Sequence, residues 1–201
     1  MTAMDADFPR VSDPQRIRAL THPLRLQLMD VLRDGPATAT ECAAVTGESV
    51  ASCSFHLRML GKYGWVQPDD RRGREKPWRL TSRGHDLRPD DDDPASLRAV
   101  RATAALYLEH EAQGVREWLD AATQEPAEWV QASTLCGLDF WATAEEVAAL
   151  SRTVQALADR FQARQHDPSQ RPPGARPVRL FATVHADIAK EHRLQRGSGA
   201  R

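Results

Sequence analysis

Four basic side chains crowd one polar loop of the sequence, namely Arg71, Arg72, Arg74 and Lys76. Short apolar runs flank the loop at 65–67 and 78–80, a pattern typical of a β-hairpin. Cationic side chains at a hairpin tip can reach phosphate groups and release their counterions. The loop therefore indicates a nucleic-acid contact. A merely solvated loop is the alternative, because only three of the 27 basic residues are lysine and arginine is abundant throughout.

A helix before this loop offers further side chains to the same ligand. The spacing predicts it from Ser49 to about Tyr63, with Cys53, Leu57 and Leu60 on its apolar stripe. A shorter helix precedes it, begun by a capping box at 38–41 and ended at Thr46-Gly47. Two helices joined by such a turn are typical of a helix-turn-helix, whose second helix enters the major groove of DNA. The candidate contact residues on that helix are Ser49, Ala51, Ser52, Ser54, Phe55, His56, Arg58 and Lys62.

Neighbouring elements must position this motif. Asp13-Pro14 and His22-Pro23 predict two helix starts before it, and residues 1–12 are expected to fray. Thr81 predicts a last short helix ending before Pro89. We expect an α+β chain, mainly α, that begins with a winged helix-turn-helix DNA-binding domain over residues 8–88.

Two stretches carry a family resemblance. Residues 20–32 (LTHPLRLQLMDVL) and 52–66 (SCSFHLRMLGKYGWV) resemble the opening and the recognition helix of ArsR-type winged-helix repressors. The resemblance covers residues 13–85 and implies a DNA-binding homodimer that represses transcription from a palindromic operator. It implies base reading by Ser49, Ala51 and Ser52, and phosphate contacts by Ser54, His56 and Arg58.

Two of these side chains leave alternatives open. Phe55 stands where the family usually has a polar or basic residue, so its ring contacts a thymine methyl or packs inward. His56 either approaches a phosphate or makes a hydrogen bond within the fold. A protein-interaction module that has the fold without DNA binding is a further alternative.

Many members of this family sense metals, so the resemblance implies a set of metal ligands at known places. This chain lacks that set. Thiolate sensors carry two cysteines at the positions of Thr38 and Thr40, and Cys42 and Cys53 fall on apolar core positions instead. The other sensor type pairs Asp with His on the long C-terminal helix; His110 is present there, but position 108 is leucine. We expect no metal and no cofactor, with His110 on the surface. A metal-responsive repressor is the alternative.

The second half of the chain begins after the acidic run 90–93. We predict a C-terminal domain over 94–186, for dimerisation and effector binding, and a disordered tail over 187–201. Its first element is a long helix over 94–123 whose apolar stripe spans about 33 Å, close to one turn of DNA. This stripe is predicted to join two subunits, or alternatively to be covered within one chain. Its residues are Leu97, Val100, Ala104, Leu108, Val115, Trp118 and Leu119.

Alternation of apolar residues predicts extended runs at 129–141 and 177–185, on either side of a helix over 144–166. The aromatic residues of this half are expected to lie mostly in its core, where some could line a pocket for a small-molecule effector. They are Trp118, Trp129, Phe140, Trp141, Phe161 and Phe181.

Composition excludes other classes of protein. The 201 residues carry a net charge of -1, and residues 10–88 are basic whereas residues 89–201 are acidic. No apolar run is long enough to cross a membrane, and no secretory signal is recognised at the start. Three scattered cysteines favour a reducing cytoplasm. No Gly-rich phosphate loop, nucleophile elbow or zinc-protease helix occurs, so an enzyme is not expected.

Overall fold

The computed structural model describes residues 10–69, 76–82, 84–87, 89–90, 92–157, 159–161, 163–164 and 167–198. Within these ranges the helices include α1 (Pro14–Arg18), α2 (Pro23–Arg33), α3 (Ala39–Thr46), α4 (Val50–Lys62), α5 (Pro94–Ala121), α6 (Ala127–Ala132), α7 (Ala144–Ala156) and α8 (Ile188–Ser198). The strands are β1 (Arg10–Val11), β2 (Val66–Pro68), β3 (Trp78–Leu80) and β4 (Asp86–Leu87).

Helices α1 to α5 enclose the apolar core of the described residues. Ile17, Leu20, Leu57 and Leu60 are fully buried there, as their helical spacing predicts. Trp65 closes the core beside them, and its indole Nε1 donates to the carbonyl of Arg16 at 2.9 Å. This core fixes α4 against α2, so the outward face of α4 is set by burial of the opposite face.

Helix α5 extends the same core instead of starting another. Ala99 is buried within it, and the Thr103 hydroxyl donates to the carbonyl of Ile17 at 3.1 Å. The predicted start is confirmed, because Asp93 caps the helix and Pro94 is its first residue. Helix α5 packs on α1 across the predicted domain boundary at 88–94. The boundary itself stays a prediction.

The hairpin is confirmed in its two strands. β2 and β3 pair antiparallel with Val66 opposite Leu80 and Pro68 opposite Trp78. The loop residues 70–75 lie outside the described residues. We call this hairpin the wing and its two paired strands the wing root. A connection of three residues, 63–65, joins the end of α4 to the wing root.

The short helix predicted from Thr81 is wrong. Residues 86–87 form β4 instead, which pairs parallel with β1, and Val11 of β1 is buried. A helix of so few residues is marginal on its own, whereas pairing buries Val11 and joins two backbone segments. The sequence predicts that residues 10–11 fray, but their pairing with β4 holds them in a strand.

The C-terminal half departs further from its predicted elements. Helix α6 replaces the start of the extended run at 129–141, and no described residue of 177–185 pairs in a sheet. Alternation supports a strand only where a neighbour accepts its hydrogen bonds. Helix α7 begins at the predicted capping box, at Thr143, but ends at Ala156. The tail predicted to be disordered contains α8, which is rich in good helix formers.

Candidate nucleic-acid interface

The turn between α3 and α4 is built as the sequence predicts. The Thr38 hydroxyl accepts from the Glu41 amide at 3.2 Å, and the Glu41 carboxylate accepts from the Thr38 amide at 2.7 Å. Gly47 ends α3 with a φ of 74°, in the left-handed region that favours glycine. Ser49 then caps α4 by accepting from the Ser52 amide at 3.1 Å. These local bonds place the first turn of α4 at the surface.

The outward face of α4 carries most of the predicted contact residues. Ser49, Ala51, Arg58 and Lys62 are exposed, and Ser52 and Ser54 are half-buried at its edges. The side chain of Phe55 is 50 % exposed, so the alternative in which Phe55 packs inward is not what the structure has. A half-exposed phenyl ring on a polar helix face is available to an apolar group of a ligand, such as a thymine methyl.

His56 is the exception, because it lies on the inner side of α4 with only 8 % of its surface exposed. Its Nδ1 accepts from Nε of Arg25 at 3.2 Å, and the ring of His22 lies 4.2 Å away, centre to centre. The described structure thus has the alternative in which His56 makes a hydrogen bond within the fold. Burial lowers the pKa of His56, and the charges of His22 and Arg25 lower it further. Arg25 was missed in the sequence because nothing local marks a contact 31 residues away.

The predicted wing contacts divide between described and undescribed residues. Arg71, Arg72 and Arg74 lie outside the described residues, whereas Lys76 is described and exposed. Two residues after Lys76, the Trp78 amide donates at 2.8 Å to the carbonyl of Ala37, which lies just before α3. The wing root and the helix-turn-helix are therefore hydrogen-bonded together.

The cysteines of the motif are core side chains. Cys42 and Cys53 are fully buried, as expected, and burial raises the pKa of the Cys42 thiol to about 11. The Thr38 hydroxyl is engaged in the capping box. Among the described residues, no group of three or more His, Cys, Asp or Glu side chains is arranged to hold a metal ion.

His110, expected at the surface, is half-buried in an ion pair. Its Nε2 lies 2.6 Å from the carboxylate of Asp30, at the end of α2. Asp30 also pairs with Arg33 and, at 3.2 Å, with Arg179 of the C-terminal segment. His110 therefore belongs to a polar cluster between α2 and α5, whose members are far apart in the sequence.

The predicted dimerisation stripe lies largely outside the core. Leu97, Leu108, Val115 and Leu119 are exposed, between 36 % and 49 %, and Val100, Ala104 and Trp118 are half-buried. The buried residues of α5 are Ser96, Ala99, Thr103 and Glu111, and Val100 of the stripe packs half-buried against the core beside them. The alternative in which the rest of one chain covers the stripe is therefore not what the described residues form.

The C-terminal aromatic residues do not assemble into the expected core. Trp141 is 83 % exposed, and Phe140 and Phe161 are exposed as well. Phe181 of that set lies at a groove of about 570 Å³, whose other lining residues come from α5 and include Leu108 and Val115. None of the helices described is both long and apolar enough to cross a membrane.

A capped two-helix motif followed by a β-hairpin defines a winged helix-turn-helix domain, a class of DNA-binding domain. Residues 20–64 match a family described as a helix-turn-helix domain. The chain is 30% identical to a homodimeric winged helix-turn-helix DNA-binding domain from Mycobacterium bovis, solved by solution NMR as fragment 1–100. The alignment covers 47% of this chain and 81% of that one, with a TM-score of 0.32, and that protein is described as a possible ArsR-family transcriptional regulator. No curated protein matches this chain.

Residues 20–64 therefore form a helix-turn-helix domain, as the motifs of the sequence predict, and the protein is a DNA-binding transcriptional regulator.

Proposed function

We propose that the protein is a sequence-specific repressor that binds a palindromic operator as a homodimer. The observation that supports this best is the division of α4 into two faces. Cys53, His56, Leu57 and Leu60 are buried, and the residues between them are open to a ligand. A helix anchored in this way can lie in the major groove without losing its own packing.

Base reading is assigned to the first turns of α4. Ser49, Ala51 and Ser52 stand at its N-terminal end, where recognition helices contact base edges. The ring of Phe55 follows one turn later and suits a thymine methyl. Arg58 and Lys62 continue along the helix with Ser54, and these are assigned to phosphates.

The homodimer is assigned to α5. Its exposed leucines and valine form a line from Leu97 to Leu119, about 33 Å long at 1.5 Å per residue. Two recognition helices held one turn of DNA apart are separated by a similar distance, about 34 Å. The apolar groove beside Phe181 lies on this same face of α5. The proposed dimer contact would occupy that face, so we assign no effector site to the groove.

Selection of genomic DNA fragments by the purified protein tests the function. We expect one enriched sequence with two-fold symmetry, bound with a strong dependence on salt. Replacing Arg71, Arg72 and Arg74 by Ala should weaken binding to all sequences alike. The same change should flatten the log–log salt slope by roughly 0.9 for each phosphate that the wing no longer neutralises. Ser52→Ala should instead change the preferred bases, by up to ~1–3 kcal/mol at one position.

Weak binding without sequence preference or salt dependence would support the interaction module instead. An unchanged salt slope in the triple variant would remove the wing from the interface. An unchanged base preference in Ser52→Ala would show that the bases are read from other residues.

A further inference from the structure

The recognition helix is held from behind by one side chain of α2. Arg25 donates from Nε to Nδ1 of His56 at 3.2 Å and from Nη1 to the carbonyl of Ala19 at 2.7 Å. One guanidinium thus bridges the turn before α2 to the middle of α4. Its planar shape fixes both donors at once, which a lysine ammonium does not reproduce.

The bond requires one charge state of His56. An imidazole that accepts at Nδ1 must be neutral and carry its proton on Nε2. The charged and titratable groups that face it are Arg25 and His22 of the α2 region and Glu48 of the turn before α4. Arg25 and His22 disfavour a protonated His56, and the influence of Glu48 is opposite and smaller.

The anchor continues to the outer face of α4. The rings of His56 and Phe55 meet edge to face, with 5.2 Å between their centres and an angle of 80°. Phe55 is half-exposed on this outer face. The position of the buried imidazole therefore limits where the exposed phenyl ring can lie.

We infer that Arg25 is a positioning residue for DNA recognition: by its bond to Nδ1 of His56, it fixes the angle of α4 and the ring of Phe55, and so sets which bases are preferred. The inference rests on the proposed function. Arg25 is half-buried and acts through His56, so this role needs no contact between Arg25 and DNA. Loss of its bond therefore reduces discrimination between sequences more than it reduces affinity for DNA in general.

Two conservative variants separate this role from simple charge. Arg25→Lys keeps the positive charge but loses the planar pair of donors, and we expect the ratio of operator to random-duplex affinity to fall roughly tenfold, the equivalent of one hydrogen bond. His56→Gln keeps an acceptor, does not titrate, and should retain most of that ratio at pH 7. Arg101→Gln, at an exposed position of α5, is the control for charge.

The pH dependence of the affinity ratio below pH 7 is a measurement that a purely structural role of Arg25 would not change. In the full-length wild-type protein, the affinity ratio should fall as the pH decreases from 7 to 5, because a protonated His56 cannot accept from Arg25. Affinity for random DNA should rise over the same range, because the protein becomes more positive. His56→Gln should show no such fall. His22→Asn keeps a helix-capping side chain and should retain the fall.

The outcomes are distinguishable. If Arg25→Lys retains the wild-type ratio, or if His56→Gln loses specificity in acid as the wild type does, the positioning role is wrong. If the wild type prefers no sequence at pH 7, the proposed function fails, and ¹⁵N shifts of the imidazole in the free protein still report the anchor. A protonated Nδ1 in that spectrum would overturn it.

Discussion

Arg179 and Glu111, 68 residues apart in the chain, meet in a bidentate ion pair. Nε and Nη2 of Arg179 lie 2.7 and 2.6 Å from the two carboxylate oxygens of Glu111. Glu111 is only 4 % exposed, on the inner side of α5, and Arg179 also reaches Asp30. The countercharge for a carboxylate buried against the DNA-binding domain thus comes from the C-terminal segment.

Removing Arg179 should therefore destabilise the protein. Arg179→Ala leaves the Glu111 carboxylate buried without its guanidinium, and we expect a loss of about 1–3 kcal/mol, reduced from the cost of a fully buried pair because Arg179 is partly exposed. Glu111→Gln combined with Arg179→Ala should recover part of that loss. Urea denaturation of the four proteins in a double-mutant cycle measures the coupling.

The matched control is Arg176→Ala, whose pair with Glu125 lies at the surface. This control should change stability much less than Arg179→Ala. Strictly additive effects of the Arg179 and Glu111 substitutions would show that the pair contributes no coupling energy.

His85 should make the protein less stable in acid. Its ring lies 5.0 Å from that of Trp65 and 5.9 Å from that of Tyr107, and burial lowers its pKa to about 4. The unfolded chain, with a histidine pKa near 6.5, binds the proton more readily than the folded protein does. Stability is therefore full above about pH 6.5 and falls towards pH 4, by on the order of 2–3 kcal/mol.

Thermal unfolding between pH 7 and pH 4 checks this, with His85→Phe as the comparison. The variant should lose stability less steeply in acid than the wild type, because it lacks the buried His85. Part of the acid dependence should remain, because His56, whose pKa is lowered as well, is present in both proteins. Parallel curves for the two proteins would exclude His85 as a source of the acid dependence.

Two helical glycines should respond in opposite directions to alanine. A Cβ at Gly61 of α4 would lie 2.7 Å from the ring of Trp78, whereas a Cβ at Gly114 of α5 would meet no atom within 4 Å. Gly114→Ala should stabilise by about 0.5–1 kcal/mol through helix propensity. Gly61→Ala should destabilise by ~1–2 kcal/mol, because overpacking against the indole outweighs the same gain.

Chemical denaturation of both variants gives the two signs directly. An equal gain in stability at both positions would mean that Trp78 moves away from α4 at little cost. In that case the wing root would not be packed rigidly on the recognition helix.

Leu108→Glu tests the assembly assigned to α5. Leu108 is 49 % exposed in one chain, so the substitution should leave the fold intact. At the centre of a subunit interface the new carboxylate would be buried without a partner, which is costly. We expect sedimentation to show a folded monomer with much weaker operator binding.

Val45→Glu, at an exposed apolar position of α3, is the control and should stay dimeric. A dimer of unchanged stability in Leu108→Glu would place the subunit contact elsewhere. Both variants need circular dichroism spectra that match the wild type.

Local sequence determined the recognition motif almost completely. The capping box at Thr38, the left-handed Gly47 and the buried stripe of α4 were all predictable, and each is confirmed. The capping box at Thr143, which begins α7 outside the motif, was predictable in the same way and is confirmed. Their physical causes act over three or four residues, through hydrogen bonds to the first helical turn and through burial at helical spacing. Such causes are written in a short stretch of sequence.

Tertiary structure alone decided which polar side chains point inward. His56 turns towards Arg25, His110 towards Asp30, and Glu111 towards Arg179, over separations of 31, 80 and 68 residues. It also decided that residues 86–87 pair with β1 instead of extending a short helix. No local pattern encodes these contacts, because each partner gains its favourable energy only after the core has brought the two segments together.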